Sequence, residues 1–339
     1  MDVAFDRLSD AGPLGVAVWA PDASLRFCTG GLAQPAEQAP DVFVFAGESW
    51  ADLFRAFVVN LSAHDRRRIL AAPLDQDQRF VPWNSVALET MLKRVETPWL
   101  PDVLRGQGLF AHFQPIADAS TRQVYGYEAL ARATVNELTV TGGELLEAAR
   151  AHQALKEFDE ATRRRALREA SHGLGGKERL FINVLPSALL DPEVDFDEFW
   201  CSAQNWGLDA SRVVFEILET DEMPCLDSLA EFVAHVRSHG ANIALDDVGA
   251  GHSSLVHIQE LKPDLVKFDR GLLPLAPTDA TVKLLAGLNE YAQSHGCVTL
   301  MEGVETEPQL DVVRYCGFDL VQGWLIGRPA RLDVRVSVQ

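Results

Sequence analysis

The sequence predicts an α/β chain: a modified (β/α)8 barrel of the TIM type with one antiparallel strand, preceded by a small α+β N-terminal domain. Three observations predict it. Eight short apolar runs recur between residues 109 and 322, with helical patterns between most of them. Four of those helical patterns stop at a glycine that feeds the next run, at Gly173, Gly207, Gly240 and Gly296, as helices do before a following barrel strand. The first two runs are joined only by Asp118-Ala-Ser-Thr-Arg122, which is too short for a parallel crossover and therefore predicts an antiparallel hairpin.

Residues 1–105 differ in texture and are read as the separate domain, with 106–339 as the barrel. Gly15 to Phe27 reads as two short strands around a Pro-Asp turn, and Asp41-Val-Phe-Val-Phe45 as another strand. Ser49 to Leu61 carries apolar residues at helical spacing, with Ser49 and Asp52 at its start. Trp19, Trp50, Trp83 and Trp99 fit core or interface positions better than a cofactor box. Pro98, Pro101 and Gly106 mark the junction.

The eight barrel strands are expected at Leu109–Ile116, Val124–Ala131, Leu180–Val184, Val213–Ile217, Asn242–Asp246, Leu265–Phe268, Val298–Met301 and Asp319–Gln322. Helices are expected over Glu144–Ser171, Asp197–Trp206, Cys225–His239 and Thr278–His295. The fifth strand organises the rest. Asn242-Ile-Ala-Leu245 is short, apolar and bounded by Gly240 and Gly249, and it ends in Asp246 and Asp247. Neighbouring side chains of a strand point to opposite faces, so both carboxylates reach one site only if the strand is already turning there. Gly249 and Gly251 permit such a turn. Asp-Asp-x-Gly alone fits equally well a turn whose carboxylates cap the next helix. Gly249-Ala-Gly251 lacks the third glycine of a dinucleotide fingerprint.

Polar residues occupy the ends of the other strands too: Glu128, Asn183, Glu216, Lys267, Glu302 and Gln322. The C-terminal rim of a barrel is where strands converge on substrate. One such residue fits a satisfied interior polar group, whereas seven strands doing it together point to an active site. Buried carboxylates at this density repel one another unless cations neutralise them, and oxygen donors suit hard divalent ions.

Composition narrows the function. The chain has 339 residues, 47% of them hydrophobic, enough for a large core. Its formal charge of −19 argues against binding DNA or RNA polymers or an acidic membrane, which takes a basic surface. The five cysteines form no CxxC pair and fit reduced thiols. With no basic n-region after Met1 and no long apolar run, the expectation is a cytoplasmic protein with no membrane span.

From about residue 108 to 330 the chain resembles the EAL domain family, the cyclic di-GMP phosphodiesterases of bacterial signalling. The resemblance is carried, in order, by Phe113-Gln-Pro-Ile116, Glu128-Ala-Leu130 with Arg132, Phe181-Ile-Asn183, Glu216-Ile-Leu-Glu219, Asp246-Asp-Val-Gly-Ala-Gly251 with Ser253-Ser-Leu255, Val266-Lys-Phe-Asp269, Glu302-Gly-Val-Glu305-Thr306 and Gln322-Gly-Trp-Leu-Ile-Gly-Arg-Pro329. It implies a barrel with one strand reversed. It also implies two divalent cations, Mg²⁺ or Mn²⁺ with Ca²⁺ inhibiting, held by Glu128, Asn183, Glu216, Asp246 and Asp247. The reaction implied is in-line attack of water on a phosphodiester, giving linear 5′-pGpG. Lys267 would orient the water and stabilise phosphoryl charge, Glu302 and Gln322 would hold waters, and Glu219 would tether the loop after Asp246. Gln114, Leu130, Arg132 and Glu305 would meet the dinucleotide, Arg132 as a phosphate clamp.

The chain departs from the family's usual pattern at Leu218, Val248 and His252, and Ala133 to Gly143 lacks a Trp-x-His-Pro. None of these removes an implied ligand. The expected partners are cyclic di-GMP, a second copy of the chain in a homodimer, and a regulatory protein acting through the N-terminal domain. That domain loosely resembles a sensory domain of the PAS type along its one hairpin-like stretch. The alternatives are a catalytically silent cyclic di-GMP receptor and a scaffold that binds no nucleotide.

Overall fold

The computed structural model describes residues 15–19, 34–36, 39–74, 84–185, 196–218, 226–249, 254–275 and 277–332. The chain divides into two compact units, residues 1–107 with 146–154, and residues 108–145 with 155–339.

The first unit holds an antiparallel sheet of β1 (Gly15–Trp19), β2 (Gln34–Ala36), β3 (Ala39–Ala46), β4 (Leu70–Pro73) and β5 (Val86–Ala87), in the order β2-β3-β1-β4-β5. Helices α1 (Trp50–Val59), α2 (Ala63–Arg68), α3 (Leu88–Glu96) and α4 (Leu100–Leu104) complete it. Phe54, Phe57 and Val58 of α1, and Leu88, Met91 and Val95 of α3, recur at helical spacing and form one apolar cluster with Val16, Val18 and Phe45. Burying such side chains is the main force holding this unit together. Ser49 precedes α1 as expected but makes no capping bond; Ser62 does, accepting from Asp65 N at 3.2 Å. The second strand expected before Phe27 falls outside the described residues, as does Trp83. Trp19 is exposed, and Trp50 and Trp99 are half-buried.

The second unit is a closed eight-stranded barrel. Its strands are β6 (Leu109–Asp118), β7 (Val124–Val135), β9 (Arg179–Val184), β10 (Val213–Leu218), β11 (Asn242–Val248), β12 (Leu265–Phe268), β13 (Val298–Met301) and β14 (Leu320–Gln322), and β8 (Leu138–Thr141) pairs onto β7 as a ninth. From β9 through β14 every pairing is parallel, β7 runs parallel to β9, and β6 is antiparallel to both its neighbours, β7 and β14. The expected hairpin is therefore what closes the barrel.

Helices α5 (Gly142–His152), α6 (Leu155–Gly173), α7 (Phe196–Asn205), α8 (Leu226–Ser238), α9 (Ser254–Leu261), α10 (Asp279–Ser294) and α11 (Glu307–Tyr315) lie between the strands in sequence. The single helix expected over Glu144–Ser171 is two helices. Gln153 has φ +57°, and Ala154 N reaches back to Ala149 O at 2.9 Å, a left-handed helix stop made without glycine. The hairpin to β8 was not expected. It turns through Asn136 and Glu137, both left-handed at φ +48° and +67°, as a two-residue hairpin turn requires.

The pleat fills the barrel lumen in two layers. Ile116, Phe181, Val214, Ala244, Leu265, Leu300 and Leu320 form an apolar layer. Two residues further on from each stand Asn183, Glu216, Asp246, Lys267, Glu302 and Gln322, and on the antiparallel β6 Gln114 stands two residues before Ile116. On β7 the pair is Gly126 and Glu128. A Cβ at Gly126 would lie 2.6 Å from Arg179 O and 3.0 Å from the Phe181 ring, so glycine there makes room for Phe181.

Candidate active site

The upper lumen layer is a cluster of acids gathered around one lysine. Lys267 Nζ lies 2.8 Å from Glu216 Oε1, 2.9 Å from Asp246 Oδ1, 2.8 Å from Glu302 Oε1 and 3.8 Å from Glu128 Oε2. Asn183 Nδ2 donates to Glu128 Oε1 at 3.1 Å, and Gln322 Nε2 donates to Glu128 Oε2 at 2.7 Å. Both oxygens of Glu128 are thus fixed, one from β9 beside β7 and the other from β14, which lies beyond β6. Lys267 and Glu216 are completely enclosed, at 1% and 0% exposure.

Asp246 and Asp247 reach this cluster through a bulge. Ala244 and Leu245 pair with Leu265 and Val266, and pairing resumes at Val248 with Phe268, so Asp246 and Asp247 together oppose Lys267 alone. Asp247 takes φ +56°, which turns the strand as the sequence requires, and Gly249 continues it at φ +104°. Asp246 Oδ1 accepts from Asp247 N at 3.0 Å, which fixes the first carboxylate within the bulge. Oxygens of Asp246, Asp247 and Glu302 lie within 4.8 Å of one another, and so do those of Glu128, Glu216 and Asp246.

Electrostatics follow from burial. Enclosure drives the carboxyl of Glu216 well above the usual range; Lys267 opposes this, and the charges of Glu128 and Asp246 add to it. Asp246 is raised for the same reasons. Glu302 is pushed up to about 8 and Asp247 to about 6, in both cases by burial first and neighbouring acids next. Burial pulls the Lys267 ammonium down, but the four carboxylates around it outweigh that and hold its pKa well above the ordinary lysine value. Glu216 Oε2 has no hydrogen-bond partner, and Oε1 meets only Lys267 Nζ, at 2.8 Å. Buried acceptors left in this state are costly unless a cation meets them. The donors are all carboxylate or amide oxygens, the set a hard divalent ion takes.

Other expected residues are placed as follows. Gln114 Nε2 donates to Gly327 O at 3.3 Å, and Arg132 Nη1 donates back to Ala131 O at 2.7 Å. Both are half-buried, as is Leu130, whereas Glu305 is exposed. Glu305 N donates to Gln309 Oε1 at 2.9 Å, which ties it to the box that Thr306 and Gln309 form at the start of α11. Glu219 and His252 lie outside the described residues, as does the side chain of Leu218. Val248 is buried.

Two contributors were given no role from the sequence. Asp269 adds to the upward push on Asp247; it follows Lys267 at the period-two spacing, which is the signal that could have found it. On α6, Asp159 pairs with Arg163 at 2.7 Å, and its other oxygen accepts Leu185 N at 2.9 Å, holding the end of the strand that carries Asn183. A buried acid and arginine at i,i+4 give only a weak sequence signal.

Comparison with known proteins agrees with this geometry. The EAL domain family matches residues 98–329. The cyclic di-GMP phosphodiesterase NbdA of Pseudomonas aeruginosa is 30% identical over 238 residues, 69% of this chain and 30% of that protein. The bifunctional diguanylate cyclase/cyclic di-GMP phosphodiesterase MucR of the same organism is 27% identical, over 68% of this chain and 34% of its own. Among solved structures, the EAL-domain protein YkuI of Bacillus subtilis, in complex with cyclic di-GMP and calcium, superposes with a TM-score of 0.60 at 25% identity, covering 70% of this chain and 59% of that one. The chain spans between 24% and 34% of the length of the first five curated relatives it matches. With two thirds of its length matched by the family and its polar strand ends folded into one lumen, the chain belongs to the EAL domain family.

Proposed function

We propose that the chain is a metal-dependent phosphodiesterase that hydrolyses cyclic di-GMP to linear 5′-pGpG. The observation that supports this best is the enclosed Glu216, whose Oε2 has no hydrogen-bond partner and whose Oε1 meets only Lys267, beside four further acids. Glu128, Asn183, Glu216, Asp246 and Asp247 would hold two divalent cations, Mg²⁺ or Mn²⁺, which when bound supply Lewis-acid stabilisation of phosphoryl charge and activation of water.

The chain's own residues do the rest. The amides of Asn183 and Gln322 lock the Glu128 carboxylate, so its direction is set before substrate arrives. Asn183 spends its nitrogen on that bond and presents its oxygen as a donor to a cation. Lys267 keeps its proton through the neutral range and offers fixed positive charge where charge develops on phosphorus-bound oxygens. Arg132 and Gln114, at the same end of the hairpin, take the dinucleotide, together with Leu130 and Glu305. Residues 1–105 would act as a regulatory domain, and the working unit would be a cytoplasmic homodimer.

The test is chromatographic detection of pGpG after the chain is incubated with cyclic di-GMP and Mg²⁺ or Mn²⁺. Product is expected from the wild type and is expected to be lost in Glu128→Ala, which should still unfold cooperatively because it loses a ligand rather than core volume. Ca²⁺ is expected to permit binding and block turnover. Cyclic di-GMP binding without product in any of these ions would replace this reading with that of a receptor.

A further inference from the structure

Outside the barrel lumen, among the described residues, one further group of side chains brings potential metal ligands together. Asp197 stands in the first turn of α7, His235 in the last turn of α8, and His239 just beyond it. One ligand atom from each lies within 4.8 Å of the others. The two histidines are four residues apart, so they share one face of the helical segment.

Their ring chemistry is preset. His239 Nδ1 lies 3.1 Å from His235 O and 3.3 Å from Ser238 Oγ; a carbonyl oxygen only accepts, so the contact with it is a hydrogen bond in the tautomer that carries its proton on Nδ1 and leaves Nε2 free to ligate. This is the arrangement by which a backbone carbonyl fixes the tautomer of a metal-binding histidine. The His239 ring is held by stacking on Trp200, centroids 4.7 Å apart and planes 10° off parallel. His235 Nε2 is buried and has no hydrogen-bond partner. Phe196 lies beside that ring, with centroids 6.1 Å apart.

We propose that Asp197, His235 and His239 bind a first-row transition-metal dication, with Zn²⁺ as the natural probe, at a site distinct from the lumen acids. Two imidazoles and a carboxylate match the donor preference of Zn²⁺, whereas the lumen offers only oxygen donors and suits Mg²⁺. Ligands of a tetrahedral Zn²⁺ stand about 3.3 Å apart, given bonds of about 2.0–2.1 Å, so modest side-chain rotation closes the observed spacing around an ion. Three protein ligands leave the fourth position to water. The ion would clip α7 to α8, the helices that lead into β10 and β11 and so into Glu216 and Asp246.

The experiment is calorimetric titration of Zn²⁺ into the full, tag-free chain in excess Mg²⁺, which occupies the lumen acids. One equivalent is expected to bind to the wild type. His239→Gln and Asp197→Asn should each weaken it at least about tenfold, while Glu128→Gln leaves it intact; circular dichroism verifies that each variant is folded. Co²⁺ added to the wild type gives a second readout independent of the variants: intense visible bands of a four-coordinate site are expected. The proposal is overturned if the wild type shows no saturable Zn²⁺ binding under Mg²⁺, if binding survives both substitutions or disappears with Glu128→Gln, or if Co²⁺ shows only the weak spectrum of six oxygen ligands.

Discussion

The lumen cluster and the core of the N-terminal unit are buried to the same degree and are built from opposite materials. Around Phe45, Phe54 and Phe57 the cluster is built from apolar side chains. Around Lys267 they are Glu128, Glu216, Asp246 and Gln322. Enclosure stabilises the first set through the hydrophobic effect and burdens the second, where desolvation and like charge oppose one another's ionisation. The difference teaches that burial by itself says nothing about the sign of a residue's contribution. The apolar core supports the fold, while the charged layer is tolerated by a barrel whose lower layer and outer shell are hydrocarbon.

The contrast is sharpest for truncation against neutralisation. Phe57→Ala should cost about 3–5 kcal/mol of folding free energy, measured by chemical denaturation. Glu216→Gln, assayed without divalent ions, should cost nothing or stabilise, since it removes a charge from a crowded low-dielectric site. Equal losses in the two variants would erase the distinction. A divalent ion should then reverse the burden. Mg²⁺ at one hundred times its Kd should add about 2.7 kcal/mol to the wild type, read as a rise in Tm. Glu216→Gln should respond far less, and an equal response would place the ion elsewhere.

The effect that is smallest per step lies in the first unit, at the half-buried His152. His152 Nε2 lies 3.0 Å from Thr97 Oγ1, and burial, with the nearby Arg94 charge, holds its pKa down at about 4 against an ordinary 6.5. Above pH 6.5 the imidazole is neutral in both folded and unfolded chains. Below it the unfolded chain takes a proton that the folded one refuses until about pH 4. Stability should therefore fall through this window by at most about 1.4 kcal/mol per pH unit. His152→Gln should flatten that part of the profile, and an unchanged slope would show that the group does not contribute.

The barrel was legible because its strands are enclosed on both faces and so read as short apolar runs between glycine-stopped helices. The upper lumen layer was legible because period two carries the polar residue that ends each run to the same level. What escaped depended on contacts distant in sequence. Gln153 breaks a helical pattern that contains neither glycine nor proline, where Arg94 donates to Ala151 O and Thr97 meets His152. β8 is an edge strand whose residues are half-buried or exposed, so its alternation is faint, and its turn uses Asn136-Glu137 rather than Asn-Gly. Asp159 and Arg163 look like an ordinary surface pair on a helix until the fold buries them.

The bulge in β11 also bears on how such sites are designed and inherited. A strand with strict alternation presents one acid per lumen level, so adding a second acid next to the first would send it into the outer shell. One inserted residue changes that, because it brings two consecutive acids to one level without moving the neighbouring strands. A designer who wants a dinuclear centre in a barrel should therefore insert a residue rather than substitute one. By the same logic, deleting Asp247 would restore the regular pairing and remove one of the two acids from that level.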